Sequence, residues 1–457
     1  MEATQSGRVM EGIRSRITAR VLCSGDRLPS VRRSAADFGV SPATVVEAYD
    51  RLVAEGLIAA VPRSGFFVSH LAGAPQGPSA HAPRREHEID PFWVSRQSLD
   101  SALDSDKPGC GWLPPDWMPQ RALQKALRDV SRDADLLTLY GTTAGDPVLR
   151  RQIALRFAAE GLDCDPDRIL LTHSGSQAID LICRLLLSPG DTVLLDDPCY
   201  FNYQALIAAH KVRAVSVPFL SSGPDPIAFE AVVAAERPRL YITNSNLHNP
   251  TGASLSLTTA HRLPGIAAAH GMVIVEDDIF ADFAPGVPTM SALDGLSGVI
   301  RIGSFSKTLS AALRCGYIAA RPEWIDALTD LQLATGFGGP PPIATSAISR
   351  VLAGGGYRRH MEDLRRRLGK ARKAMALRLA AMEIVPQGEP AGGFTLWCRL
   401  PDGLDSAVLA RNCLARDVVL APGNVFSPSQ SAASFLRVNV AQTSDHALDQ
   451  LRLAMRA

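Results

Sequence analysis

The sequence has little excess charge of either sign, because 47 Lys and Arg face 46 Asp and Glu over 457 residues. This balance gives no general argument for binding nucleic acid or membrane. No apolar run is long enough to span a bilayer, and residues 1–8 lack the apolar core of a secretory signal. The eight cysteines are scattered without a C-x-x-C pair, which argues against a disulfide framework or a zinc site. We therefore expect a cytoplasmic protein without a metal site.

The length predicts two to four domains, and a composition with 46% hydrophobic and 20% charged residues is typical of a soluble globular protein. We predict three regions: residues 1–69, a linker at residues 70–90, and residues 91–457 with a smaller subdomain from about residue 345. The linker is rich in Ala, Pro and Gly and lacks apolar periodicity, which predicts a semi-extended tether.

Three short helices are predicted in the first region. An apolar residue recurs every fourth position of one amphipathic helix, at Val9, Ile13, Ile17 and Val21. Ser30 can cap a second helix from Val31 to about Phe38, and Gly39 would close it. Ser41 can cap a third helix, with Pro42 at its first position. Two helices separated by a short turn that contains glycine are typical of a helix-turn-helix.

A hairpin is predicted to follow these helices, with strands at residues 57–61 and 65–68. Arg63 lies at its tip, and Arg32 and Arg33 open the second helix, where DNA phosphates would lie. An ordinary three-helix bundle with a hairpin is the alternative.

The run Gly-Asp-Arg-Leu-Pro-Ser-Val-Arg-Arg at residues 25–33, continued through residues 39–49 and Glu-Gly-Leu-Ile at 55–58, resembles the GntR family winged helix-turn-helix. The resemblance implies that six residues face DNA: Arg32, Ser41, Thr44, Arg63, Ser64 and Gly65. The family often has Arg after the capping serine, whereas Pro42 stands here, so one phosphate or base contact would be missing.

Residues 91–457 show β-rich and helical segments in alternation, which favours a mostly parallel sheet with helices on both faces. The candidate strands are residues 168–172, 192–196, 213–217, 240–243, 272–276, 299–303 and 316–320. From about residue 345, one long Arg-rich helix is predicted to lead to a smaller domain, with a core at residues 394–398 and 435–440. Ligands of such sheets gather at the carboxyl ends of the strands.

Lys307 follows a β-rich run at residues 299–305. A lysine walled by apolar residues loses hydration, its pKa falls, and it can bind an aldehyde as a Schiff base. Ser304, Ser306 and Arg314 suit a phosphate. An aldehyde and a phosphate together indicate pyridoxal 5'-phosphate (PLP). On this stretch alone, a surface lysine with an unrelated arginine is an equal alternative.

Polar residues follow other predicted strands as well. The turn His-Ser-Gly-Ser-Gln at 173–177 opens a helix, whose free N–H groups can hold a phosphate. Asp-Pro-Cys-Tyr at 197–200 supplies an aromatic ring, and Asn-Pro-Thr-Gly at 249–252 supplies an amide. The carboxylates of Glu-Asp-Asp at 276–278 could form a metal site or a helix cap, or could pair with a buried cation such as a protonated pyridine nitrogen.

Taken in order, Ser-Gly-Ser-Gln, Asp-Pro-x-Tyr, Asn-Pro-Thr-Gly, Glu-Asp-Asp, Ser-x-Ser-Lys and Arg-x-Gly-Tyr resemble the motifs of fold-type I PLP enzymes, the aspartate aminotransferase group. With the GntR-like head, the chain resembles the MocR subfamily of transcriptional regulators. The resemblance implies an α/β fold: a winged helix-turn-helix, then a mostly parallel seven-stranded sheet with a smaller C-terminal α+β domain. It also implies PLP, double-stranded DNA, an amine or amino-acid effector, and a homodimer formed through the aminotransferase-like domain.

The resemblance also implies residue roles. Lys307 would form the internal aldimine, Asp277 would pair with the pyridinium nitrogen, Tyr200 would stack on the ring and Asn249 would bond its 3′ oxygen. Arg437 would take a substrate carboxylate as a bidentate pair, with an arginine at the rim of an edge strand as the alternative. The phosphate would be held by Ser174, Gly175, Ser176, Ser304, Ser306 and Arg314, and by Tyr140 from a partner subunit.

One departure bears on function. Enzymes of this group usually carry a tyrosine two or three residues after the aspartate, where Ile279 and Phe280 stand here, and neither can donate to the 3′ oxygen. This favours a regulator that senses an amine or amino acid through an aldimine at Lys307. An active aminotransferase with an auxiliary DNA-binding head stays open. Lys307, Asp277 and Arg314 are all intact, which argues against a PLP-free repressor whose large domain only dimerises.

Overall fold

A computed structural model describes residues 4–69, 89–102 and 105–456 of the chain. Contacts divide the chain into two units, Met1–Glu86 and His87–Ala457. Most of the predicted linker, residues 70–88, lies outside the described residues, so the tether and the three region boundaries stay predictions. Among the described helices, none combines the length and the apolar character needed to cross a membrane.

The first unit packs three helices with a two-stranded antiparallel sheet: α1 Gln5–Thr18, α2 Val31–Phe38, α3 Pro42–Ala54, β1 Ile58–Val61 and β2 Gly65–Val68. The predicted caps are confirmed. The Ser30 hydroxyl accepts from the N–H of Arg33, the Ser41 hydroxyl accepts from that of Thr44, and Gly39 ends α2 with a φ of 65°. The side chains of Val45, Tyr49 and Leu52 are fully buried beneath α3.

The first helix is shorter than its apolar spacing predicts. It ends at Thr18, and Arg20 adopts a left-handed φ of 56°. Val9 and Ile13 are buried, but Val21 is 69% exposed. The prediction that Val21 belongs to this amphipathic helix is therefore wrong, because the chain leaves the helix before that position.

The second unit is built around a large sheet of β3 Ile169–Thr172, β4 Thr192–Asp197, β5 Arg213–Leu220, β6 Gly223–Pro224, β7 Leu240–Thr243, β8 Val273–Asp277, β9 Val299–Ser304 and β10 Gly316–Ala319. Their order is β3-β10-β9-β8-β7-β4-β5-β6. Neighbours from β9 to β5 are parallel, whereas β10 is antiparallel to both of its neighbours and β6 to β5. The mostly parallel fold is confirmed. The sheet has eight strands rather than seven because the two-residue β6 extends one edge.

Helices cover both faces of this sheet. The helices of this part of the chain are α4 Trp93–Asp100, α5 Gln120–Val130, α6 Ala134–Thr138, α7 Pro147–Ala159, α8 Gly175–Leu186, α9 Phe201–Ala209, α10 Pro226–Glu236, α11 Leu257–Ala269, α12 Met290–Asp294 and α13 Pro322–Gly336. Successive strand residues point to opposite faces. Val193 and Leu195 pack with residues of α8 and α9, whereas Leu194 packs with residues of α10 and α11. Burial on both faces explains the continuous apolar runs of these strands.

A smaller antiparallel sheet follows, in the order β11-β12-β14-β13: β11 Val385–Pro386, β12 Thr395–Arg399, β13 Ala421–Pro422 and β14 Phe435–Asn439. Its helices are α14 Pro342–Ala353, α15 Gly356–Ala380, α16 Ser406–Leu414 and α17 Asp445–Ala454. The single long helix predicted from about residue 345 is two helices, because Gly355 adopts a left-handed φ of 64° between them.

The segment before α5 is bound to this smaller sheet. Asp106 forms a parallel bridge with Val418, and the N–H of Gly109 donates to the carbonyl of Val419 at 2.8 Å. A Cβ at Gly109 would lie 2.3 Å from the carbonyl carbon of Leu420, so the close approach requires glycine. This contact places residues 106–112 beside the carboxyl ends of the central strands.

Candidate functional sites

The carboxyl ends of the central strands and the start of α8 surround a cavity of about 570 Å³. Ten of the eleven predicted cofactor residues line it, together with Arg437: Ser174, Gly175, Ser176, Tyr200, Asn249, Asp277, Ser304, Ser306, Lys307 and Arg314. Tyr140 does not line it. Residues more than 260 positions apart in the sequence therefore meet at one site, as the rule for strand ends predicts.

Lys307 follows the end of β9 and projects into this cavity. Burial, and next the positive charge of Arg437, lowers the pKa of Lys307 to about 8. About a tenth of such an amine is neutral at pH 7. A neutral amine in a partly desolvated pocket is the nucleophile that an aldehyde requires.

Asp277 ends β8 and is 5% exposed. Burial raises the pKa of Asp277 to about 6, although hydrogen bonds oppose this rise. The Tyr203 hydroxyl donates to Oδ2 at 2.8 Å, and the backbone N–H of Ile279 donates to Oδ1 at 3.1 Å. No cation lies within 4.0 Å of this carboxylate among the described residues. A protonated pyridine nitrogen would supply that missing charge.

Tyr203 and Asn244 escaped the sequence analysis. Tyr203 lies three positions after Tyr200, so the helical repeat of α9 returns it to the same face. Asn244 directly follows β7, lines the cavity, and donates from Nδ2 to the Asp277 carbonyl at 3.0 Å. Its Oδ1 is buried without a hydrogen-bond partner among the described residues. Asn244 could have been predicted because ligands gather at the carboxyl ends of parallel strands. Tyr203 could have been predicted only from its helical spacing to Tyr200.

The start of α8 is shaped to receive an anion. Ser174 caps the helix, its hydroxyl accepting from the N–H of Gln177 at 3.0 Å, and Gly175 and Ser176 form the first turn. A Cβ at Gly316 would lie 2.8 Å from the carbonyl carbon of Ser174, so only glycine lets β10 pass this close. The N–H groups of a first helical turn, with the helix dipole, suit a phosphate.

The loop after β9 completes this cradle. The hydroxyls of Ser304 and Ser306 are 2.8 Å apart, and Ser304 also donates to the carbonyl of Cys315 at 3.0 Å. Arg314 adopts a left-handed φ of 46° and lies on the cavity wall, and none of the described acidic residues pairs with it. Hydroxyls, a helix start and an unpaired guanidinium together match a phosphate dianion.

Arg437 is 2% exposed and has no carboxylate within 4.0 Å among the described residues. Its Nη1 donates to the Asn249 side-chain oxygen at 2.9 Å, and its Nη2 donates to the Gly109 carbonyl at 2.6 Å. Burial lowers its pKa to about 10. A buried guanidinium that binds neutral oxygens in this way suits the carboxylate of a ligand.

Two further residues of the cavity wall are apolar. Ile279 and Phe280 stand at the positions where enzymes of the resembling group usually carry a tyrosine. Phe280 packs edge-on against Phe394, with ring centroids 5.8 Å apart, so it fills apolar space. The structure places no donor at either position.

Tyr140 lies away from its own cavity and is 82% exposed. Its ring packs edge-on against Phe337, itself 70% exposed, with ring centroids 5.2 Å apart. Its predicted role on the phosphate would therefore require a second subunit.

In the first unit, Arg32, Arg63 and Ser64 are exposed. The Ser41 hydroxyl is 2.8 Å from that of Thr44 and serves as the cap of α3, so its first role is structural. Arg63 and Gly65 both have positive φ, of 64° and 107°, which produces the tight turn of the wing. The side chain of Arg27, missed in the sequence analysis, lies beside Gly65 and adds a basic group to the wing.

The side chains that line the cavity match the chemical groups of PLP. In the part of the chain that the structure describes, it contains a lysine with a lowered pKa, a buried carboxylate with no cation within 4.0 Å, and an anion cradle whose arginine has no acidic partner. When bound, PLP supplies an aldehyde that condenses with amines and a ring that withdraws electrons. The fold and this site define a PLP-binding, aminotransferase-like protein that carries a winged helix-turn-helix.

Comparison with known proteins agrees. Residues 114–454 match the family Aminotransferase class I and II, and residues 5–68 match the family Bacterial regulatory proteins, gntR family. The Escherichia coli (strain K12) HTH-type transcriptional regulator YdcR is 29% identical over 444 residues, 94% of each chain. The Thermus thermophilus 2-aminoadipate transaminase is 31% identical over 341 residues, 72% of this chain and 84% of that one.

Among solved structures, the α-aminoadipate aminotransferase LysN from Thermus thermophilus, complexed with N-(5'-phosphopyridoxyl)-L-leucine, is similar with a TM-score of 0.72. It is 27% identical, and the match covers 79% of this chain and 94% of that one. The chain belongs to the aminotransferase class I and II family and, with its GntR-type head, to the MocR type of transcriptional regulator. Its cofactor is PLP.

Proposed function

We propose that this chain binds a specific DNA site and regulates transcription there. Its affinity for that site would change when an amine or amino acid reacts with PLP attached covalently to Lys307. The observation that carries this proposal is that one cavity contains Lys307, Asp277 and a buried Arg437, and that no described carboxylate pairs with Arg437. A relative that acts on 2-aminoadipate supports an amino acid as the effector class.

The chain's residues would divide the work as follows. Lys307 presents a neutral amine, and Asp277 in its ionised form holds the proton on the ring nitrogen. Tyr200 would pack against the ring, and Asn249, which already accepts from the Arg437 guanidinium, would bind the ring oxygen. The serines at 174, 176, 304 and 306, with Gly175 and Arg314, would hold the phosphate. Arg437 holds the carboxylate of the incoming amino acid.

The residues after Asp277 favour a sensor. Ile279 and Phe280 offer no side-chain donor, and the hydroxyl of Tyr203 is already engaged with Asp277. Ligand capture depends on Lys307 and Arg437, which are present, whereas rapid turnover depends on finer control of proton transfer. The effector changes DNA binding only if it favours one of two arrangements of the protein.

We further propose a cytoplasmic homodimer in which Tyr140 of each subunit reaches the phosphate of the other. The exposed ring of Tyr140 supports this arrangement. Two heads per dimer predict repeated or palindromic DNA half-sites, contacted through Arg32, Thr44 and the wing. A mixed dimer of Lys307→Ala and Tyr140→Ala subunits tests it. It keeps one complete PLP site if the tyrosine acts across the interface, and has none if it acts within its own subunit.

The function is tested by a gel shift on the DNA upstream of the gene, with and without PLP and candidate amines. We expect specific binding that responds to an amino acid in wild type but not in Lys307→Ala. The attachment is tested by borohydride reduction and peptide mass, which should label Lys307 only. Specific DNA binding that ignores PLP and amines would refute the proposal, and so would rapid amino transfer without any effect on DNA binding.

A further inference from the structure

One wall of the PLP cavity comes from the segment that precedes the large sheet. Helix α4 contributes Ser98 and apolar neighbours, and the stretch after it contributes Lys107 and Trp112. None of these residues has a role in the proposed function. Because they lie outside the cofactor motifs, they are free to determine which ligand the cavity accepts.

Lys107 is held firmly in this wall. The carbonyl of Asp106 accepts from the Val419 N–H at 2.9 Å, and the N–H of Gly109 donates to the Val419 carbonyl at 2.8 Å. The Lys107 amine itself donates only to the Ser101 carbonyl, at 3.4 Å, and forms no ion pair within the described ranges. A fixed backbone therefore presents an ammonium group that lacks a charged partner there.

Lys107 is the charged side chain of the cavity that has no role in the proposed function. The described lining of the cavity contains four basic side chains and one acidic one: Lys107, Lys307, Arg314, Arg437 and Asp277. By the proposed function, Lys307 binds the PLP aldehyde, Arg314 the phosphate, Asp277 the ring nitrogen and Arg437 an α-carboxylate. Lys107 is then the one charged group of this described lining to which the proposed function assigns no partner, and a ligand with a second carboxylate could pair with it.

The hydroxyl of Ser98 is a second, independent indication that this wall binds a polar group of a ligand. It is 1% exposed, lines the same cavity, and its hydroxyl has no hydrogen-bond partner among the described residues. A buried hydroxyl without a partner is unfavourable, and a ligand oxygen would satisfy it.

We infer that Lys107 and Ser98 form a subsite for the side-chain carboxylate of a dicarboxylic amino acid, an inference that rests on the proposed function. Gly109, whose carbonyl binds Arg437, lies two residues from Lys107, so their backbones are at most about 7 Å apart. Both carboxylates are therefore anchored from one short segment. The apolar side chains of Val94, Leu99 and Trp112 suit the methylenes between them.

The test is a titration of the PLP-loaded full chain, followed by the change in cofactor absorbance. L-aspartate, L-glutamate and L-2-aminoadipate are compared with neutral L-norvaline and L-norleucine, which match the last two in length. We expect the preferred dicarboxylate to bind wild type at least tenfold more tightly than its neutral match. Lys107→Ala should lose that preference and leave the neutral amino acids unchanged. Ser98→Ala should weaken dicarboxylate binding about threefold.

Lys125→Ala is the control, because Lys125 is an exposed lysine of α5 that does not line the cavity. It should bind every ligand as wild type does. Equal affinity of wild type for 2-aminoadipate and norleucine, and for glutamate and norvaline, would overturn the inference without requiring any variant to fold. A Lys107→Ala variant that binds every ligand more weakly by the same factor would also overturn it. A wild-type chain that borohydride leaves unlabelled would instead refute the proposed function.

Discussion

Replacing Asp277 by Asn should stabilise the PLP-free protein while abolishing tight PLP binding. Burial raises the pKa of Asp277 from its ordinary value of 3.8 to about 6. Between these values the folded state holds the proton more tightly than the unfolded state, so stability falls as pH rises through this window. Above pH 6 the full penalty applies, and at 1.36 kcal/mol per pH unit it is about 3 kcal/mol.

Asn carries no charge at any pH, and its side-chain oxygen can still accept from Tyr203. At pH 8, Asp277→Asn should therefore raise the free energy of unfolding of the apoprotein by up to about 3 kcal/mol. Near pH 4 the two proteins should be equal, since Asp277 of wild type is then protonated. Added PLP should stabilise wild type but not the variant, because only the carboxylate can hold the protonated ring nitrogen.

The assay is denaturant unfolding of both apoproteins at pH 4 and pH 8, with Asp326→Asn as the control. Asp326 is an exposed carboxylate of α13, and its substitution should change nothing at either pH. A variant no more stable than wild type at pH 8 would contradict the reasoning. A gain of the same size at both pH values would contradict it too, because the gain must come from ionisation.

Three further predictions concern the same site. Tyr203→Phe removes the hydroxyl that lowers the pKa of Asp277, so that pKa should rise above 6. The affinity for PLP at pH 7, measured by cofactor titration, should then fall about tenfold. The rate at which PLP attaches to Lys307, measured by trapping with borohydride, should rise with pH around a midpoint near 8, because the amine is mostly neutral only above that pH. A flat rate from pH 6 to 9 would show that ionisation of Lys307 does not control the attachment. Gly316→Ala would place a Cβ 2.8 Å from the carbonyl carbon of Ser174, displacing the phosphate cradle, and should weaken inorganic phosphate and PLP binding together in equilibrium dialysis.

The sequence alone determined features that depend on neighbouring residues. Caps at Ser30 and Ser41 and the left-handed Gly39 bound their helices as predicted, because the signals lie within four residues of the structure they specify. The polar residues at strand ends also met in one cavity, because parallel strands bring their carboxyl ends to one edge. The mostly parallel sheet could thus be predicted, and so could the meeting of ten predicted residues in one cavity.

Only the tertiary structure decided the contacts between distant segments. Tyr203 reaches Asp277 across 74 positions of sequence, and Arg437 reaches Gly109 across 328. Lys107 enters the cavity because its segment joins the smaller sheet, which no local pattern indicates. Packing fixes such contacts after the elements have formed, since local propensity sets where a helix or strand begins but not which side chain it will face.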